Sequence, residues 1–243
     1  MSNESAISNP SNMTEPAKLF IDILIVFVVS GLAFLFEGFV SEQGWLVVGE
    51  SARGVTAVVA GAFAAVAVVL ARGGTLATLG FRRPERWAIV PFQVVGVLFA
   101  FIAMETMVPM LVSLFIDLPE PDYSRYAEVS GNLSAAIALA LIFPLSASIP
   151  EEVIYRGFLI GRLSDIFGET TRGAFITVLI QAVIFGSIHF QWGIGGMIMT
   201  FCMGAVWGTA YLLCGRNLWI VILAHSAGHI LLVTQLYFTP VIN

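Results

Sequence analysis

Residues 143–162 read Phe143-Pro-Leu-Ser-Ala-Ser-Ile-Pro-Glu-Glu-Val-Ile-Tyr-Arg-Gly-Phe-Leu-Ile-Gly-Arg162, with two adjacent carboxylates and an arginine set into an otherwise apolar run. A charged side chain deep in a bilayer costs about 2.5 kcal/mol or more on insertion scales, so an acidic pair in such a run calls for a function. If the stretch is helical, Glu152 and Arg156 are four residues apart and pair on one face. Glu151 is then turned by about 100° from Glu152, the angle between successive helical residues. One carboxylate is held by the arginine while its neighbour faces another helix or a water, a division of labour suited to general-base chemistry.

The rest of the chain supplies the membrane setting. Hydrophobic residues make up 58% and charged residues 11% of the 243, against about a quarter charged in soluble domains; mean hydropathy is +0.92. Seven apolar runs lie near 18–40, 54–71, 87–116, 133–150, 174–191, 194–214 and 217–237, most of them long enough for a bilayer core that needs about 20 helical residues. The fold expected is all-α: a polytopic transmembrane bundle of about seven to eight helices with an intramembrane polar cavity. The fourth run either continues through the acidic motif or breaks at Pro150, where proline suits a first helical turn. Pro91 and Pro109 predict an irregular or kinked third span. Residues 1–17 read as a disordered polar tail, without the order of a cleavable signal peptide, and 18–243 as a single transmembrane domain.

Charge excludes one function class and orients the chain. The net charge of −5 offers no basic stripe for nucleic acid. The loop 72–86 carries Arg72, Arg82, Arg83 and Arg86, whereas 117–131 carries four acids and only Arg125. The positive-inside rule puts the basic loop, and by counting spans the N-terminus, in the cytoplasm of a multi-pass protein of the cytoplasmic membrane. Cys202 and Cys214 lie about 18 Å apart on one helix, too far for a disulfide with each other. Gly204 and Gly208, spaced Gly-x-x-x-Gly, predict a close helix approach.

All three histidines fall in the last third of the chain. His189 shares a helical face with Phe185, and His225 shares one with His229. Neutral imidazole ligates a metal, takes a proton or donates to an oxyanion, so three histidines with two glutamates suffice for hydrolysis. At 1.5 Å per residue from the flanking arginines, Glu151 lies about 16 Å, His189 about 25 Å and His225 about 13 Å deep. A fifth helix that starts late or tilts strongly brings the three depths together.

These residues resemble the family of CAAX prenyl proteases and bacteriocin-processing or self-immunity membrane proteins. The resemblance rests on Glu151-Glu152-x-x-x-Arg156, on Phe185-x-x-x-His189, and on Asn217-Leu-Trp followed by His225 with a polar residue four positions later, and it covers roughly 133–237. It implies an intramembrane endopeptidase with a water-filled cavity open to the cytoplasm, acting on a peptide or membrane-protein substrate near that face. By resemblance, Glu151 and His189 activate water while His225 and the residue at 229 stabilise the oxyanion. The family pattern often has asparagine at that last position, and this chain has His229. The site set is therefore Glu151, Glu152, Arg156, His189, His225 and His229. Two mechanisms stay open: a metal-free glutamate mechanism, and a divalent metal such as zinc held by His225 and His229, whose i,i+4 spacing is zincin-like.

Competing readings carry less of the pattern. The Glu152–Arg156 pair also reads as a structural ion pair. Glu105 reads either as a polar packing contact or as a cavity-lining group, and Trp192, Trp207 and Trp219 read as interface or packing aromatics. As whole-protein alternatives stand a non-catalytic immunity factor or scaffold and a proton-coupled transporter. Relays need titratable groups, but they do not need this order of motifs.

Overall fold

The computed structural model describes residues 15–43 and 54–239. Seven long helices follow in order: α1 (Glu15–Glu42), α2 (Val55–Ala71), α3 (Val90–Val112), α4 (Leu133–Phe167), α5 (Thr171–Ser187), α6 (Gly193–Leu213) and α7 (Leu218–Phe238). Among the described residues there is no strand. Five of the helices are long and apolar enough to cross a membrane, some including the short 3-10 turn that precedes them; α2 and α5 are apolar but shorter. Large side chains such as Phe63, Phe92, Phe99 and Leu141 are exposed on the outside of the bundle, the surface that lipid would solvate. Of the polar tail, residues 1–14 lie outside the described residues, and Glu15, Pro16 and Ala17 already belong to α1.

Pro150 does not break the fourth run. α4 continues from Leu133 to Phe167, but the helix widens into π-type turns at Pro144–Ser148 and Val153–Ile160, on either side of Ile149–Glu152. Pro144 and Pro150 supply no backbone N–H, and wide turns of this kind cluster at functional sites. α3 is preceded by a 3-10 turn at Trp87–Ile89, takes Pro91 in its first turn, and keeps Pro109 inside its last turns. The irregularity expected there is confined to the helix ends.

Hydrogen bonds and ion pairs gather the helix ends into two layers. At one end Asp22 of α1 accepts from Arg72, just after α2, at 2.6 Å and pairs with Arg162 of α4 at 3.2 Å. Arg216 pairs with Glu169 at 2.8 Å, and Leu218 N–H donates to the carbonyl of Gly80 at 2.9 Å. Gly80 has φ +95, a conformation that favours glycine. At the other end Gly54 N–H donates to Glu37 at 3.1 Å, Asp122 N–H to the carbonyl of Trp192 at 3.2 Å, and Gly131 N–H to the carbonyl of Tyr237 at 3.0 Å.

Small residues set the packing that carries the site. A Cβ on Gly204 would come within 3.0 Å of the Cα of Ala182, and one on Gly208 within 2.7 Å of Gln181 Oε1. The Gly-x-x-x-Gly spacing of α6 is thus a contact stripe against α5, as close helix approach in membranes requires. Near the arginine-rich end Leu79, Phe158, Leu159, Ile160, Tyr211 and Leu218 are all buried. The Tyr211 hydroxyl donates to the carbonyl of Leu79, and this apolar layer closes that end of the bundle.

Candidate active site

Helix α4 separates its two carboxylates as the 100° step requires. Glu152 and Arg156 are fully buried, and the guanidinium donates to Glu152 Oε1 at 3.0 Å. Arg156 also stands over the Phe185 ring, 4.6 Å from its centroid, a cation–π contact that helps hold a desolvated guanidinium. Across the bundle His225 of α7 reaches the same Glu152 Oε1 with Nδ1 at 2.7 Å. A carboxylate already accepting from arginine takes the imidazole N–H, so Nδ1 donates and Nε2 is left with its lone pair. That Nε2 lies 3.9 Å from Glu151 Oε2, too long for a direct hydrogen bond and of a length that one water can bridge.

The other two histidines are held as specifically. His189, just past the end of α5, places Nδ1 2.7 Å from the carbonyl of Phe185; a carbonyl only accepts, so Nδ1 carries the proton and Nε2 is the free acceptor. His229 places Nδ1 2.9 Å from the Ser148 hydroxyl. Its ring lies between His225 and Phe143, with centroids 4.5 Å from each.

Glu151, His189, His225 and His229 line one cavity of about 330 Å³, whereas Glu152 and Arg156 lie behind its wall. Most of the lining is apolar and aromatic, with Phe27, Phe143, Tyr155 and Trp192 among it. The sequence pattern had grouped all six polar residues as one set; tertiary packing divides them into four that meet the cavity and two that brace it. Despite the unequal depths counted along the sequence, Glu151, His189 and His225 all line this one cavity, with His189 just beyond the last residue of α5.

Several expectations change. Trp192 is a cavity residue, 5.0 Å ring to ring from His189 and stacked edge-on with Tyr123. Trp207 is buried packing against Phe101, and Trp219 is a half-exposed neighbour of Phe81. Glu105 is exposed on the outer face of α3 and lines no wall of this cavity. Sequence reading missed Ser148, Tyr126 and Arg125, all at or beside the site. Nothing in their spacing marks them; each arrives by tertiary contact. It also missed Asp22, an acid in the first apolar run, for which the general rule on intramembrane acids was signal enough.

A metal fits this donor set poorly. Among the described residues no group of three or more His, Cys, Asp or Glu side chains is placed to hold an ion, and a catalytic zinc takes three protein ligands. His225 and His229 share a face and keep Nε2 free, because the Nδ1 of each is held by Glu152 and by Ser148, but the pair alone supplies two of those three ligands.

Residues 133–231 match the family model for Rce1-like proteins, type II CAAX prenyl endopeptidase Rce1-like. No curated protein and no solved structure matches the chain. The matched segment contains Glu151, Glu152, Arg156, His189, His225 and His229 and agrees with the resemblance carried by the motifs.

Proposed function

We propose that this membrane protein is an intramembrane endopeptidase in which Glu151 is the general base. The observation that carries the reading is the 3.9 Å gap between Glu151 Oε2 and His225 Nε2, on the wall of a cavity of about 330 Å³. A water in that gap gives a proton to Glu151 as its oxygen attacks the scissile carbonyl. His189, with Nε2 as acceptor, shares the proton and returns it to the leaving amine. The peptide C–N bond breaks, and one water is consumed to give a carboxylate and an amine.

His229 serves the developing oxyanion, and His225 orients the attacking water. With the Ser148 hydroxyl donating to Nδ1, His229 presents Nε2–H to the cavity, while His225, held by Glu152 through Nδ1, keeps the Nε2 lone pair towards the water. Arg156 is a positioning residue that acts through Glu152. No step runs through a metal, so chelator leaves the activity intact.

The test is Glu151→Gln, which keeps shape and removes the base. Purified protein assayed against a peptide library should lose at least about a hundredfold in rate, with thermal unfolding in detergent unchanged. A Glu151→Gln protein that cleaves as well as the parent would leave a scaffold or immunity role as the better account.

A further inference from the structure

Eight of the eleven Lys and Arg residues, Lys18, Arg72, Arg82, Arg83, Arg86, Arg162, Arg172 and Arg216, belong to one end of the bundle. The contacts of Asp22 with Arg72 and Arg162, of Arg216 with Glu169, and of Asn217 Nδ2 with the carbonyl of Arg82 tie those segments into a single layer. Beyond Arg156, which is buried inside, Arg125 lies in the connection before α4 at the opposite end, and Arg53 lies outside the described residues.

The cavity runs towards that opposite end. Its wall takes Gly54 and Val55 from the start of α2, Arg125 and Tyr126 from the connection before α4, and Gln191 and Trp192 from the turn between α5 and α6. Gln191 and Phe190, also on the wall, are exposed. Among the described residues, none of 72–89, 162–172 or 213–217 lines it. Between the cavity and the arginine layer lie the buried Leu79, Phe158, Leu159, Ile160 and Tyr211.

A cytoplasmic arginine layer and a cavity open to the cytoplasm are therefore incompatible. We infer that the arginine layer is cytoplasmic and that the catalytic cavity opens on the extracytoplasmic side. Lysine and arginine in short connections fix the orientation of a polytopic chain during insertion, and among the described residues eight stand at one end against Arg125 at the other. Nothing comparable in the cavity argues for the reverse. The inference rests on the peptidase reading for what the cavity does, and it assigns that reading a substrate class: peptide segments of exported or membrane-anchored proteins, presented from the outer leaflet or beyond, with bulky apolar side chains that suit Phe27, Phe34, Phe143 and Trp192.

Cysteine accessibility tests it on the full-length protein in intact cells. In a Cys202→Ala, Cys214→Ala background, single cysteines replace Arg83 at the arginine layer, Glu120 and Asp117 at the other end, and Ser146 on the cavity wall. A small membrane-impermeant methanethiosulfonate should modify Glu120→Cys, Asp117→Cys and Ser146→Cys from outside, with Arg83→Cys modified only after lysis. Modification of Arg83→Cys in intact cells overturns the inference, as does a Ser146→Cys that reacts only after lysis; equal reaction at both ends, or at neither, overturns it as well. Adding Glu151→Gln to the Ser146→Cys protein separates the two ideas. It should abolish cleavage and keep the labelling pattern, whereas a peptidase reading that fails would leave the labelling result standing.

Discussion

The two halves of α4 face opposite environments. From Phe143 to Tyr155 one face of the helix borders a cavity that reaches the arginine-poor end of the bundle; Glu152 on its other face and the turns from Arg156 to Ile160 are packed into a dry core, with Glu152, Arg156, Leu159 and Ile160 all shielded from solvent. One peptide bond separates the residue proposed to do chemistry from the residue that holds the chemistry in place. The difference teaches that an acidic dyad in a membrane helix need not be two catalysts. A catalytic carboxylate needs water, while a bracing carboxylate needs a permanent counter-charge, and the helical step gives each its own surroundings.

The largest effect should come from breaking the brace. Arg156→Ala leaves Glu152 buried without its cation, and removing one partner of a buried pair costs about 3–5 kcal/mol. Thermal unfolding in detergent should shift sharply down and activity should fall with it. Arg156→Lys should recover only part of both, because the ammonium lacks the planar fork that donates to Glu152 while stacking on Phe185. A stable but inactive Arg156→Ala protein would instead put the guanidinium in contact with substrate.

On the cavity side the pattern should invert. His189→Gln removes a base that faces the cavity, and about a hundredfold loss in rate is expected with little change in unfolding temperature. A comparable loss of stability in this variant would erase the distinction between the two halves.

Smaller effects sharpen it. His229→Asn substitutes a side chain that can still donate through its amide, so most of the turnover should remain; His229→Ala should lose about a hundredfold or more, as loss of an oxyanion donor does. An inactive His229→Asn protein that had also lost a bound metal present in the parent would reverse the metal-free mechanism. Ser148→Ala should be the mildest, costing about 1 kcal/mol of stability for one buried hydrogen bond and lowering the rate several-fold by freeing the His229 ring. Rescue by Ser148→Thr, measured as rate at equal unfolding temperature, would show that the hydroxyl is what matters.

Much of this was legible along the chain. Apolar runs long enough to span a bilayer marked the helices, and the i,i+4 rule paired Glu152 with Arg156. The same rule put His225 beside His229, while a small-residue spacing marked the α5–α6 contact. These features are local, set by helical periodicity and by the cost of placing charge or backbone in hydrocarbon. What the line of residues left open depended on contacts between distant segments. Pro150 neither starts nor ends a helix, because a missing N–H can be absorbed by wide turns where neighbouring helices hold the chain. Trp192 became a cavity wall through packing on Tyr123 and His189. Glu152, indistinguishable in sequence from Glu151, became the brace because His225 and Arg156 both converge on its one oxygen. The direction of the cavity relative to the arginines was also beyond the sequence, since charge counts order the ends of helices but do not say at which end a bundle is hollow. That is decided where side chains fill space, and here they fill it at the arginine layer.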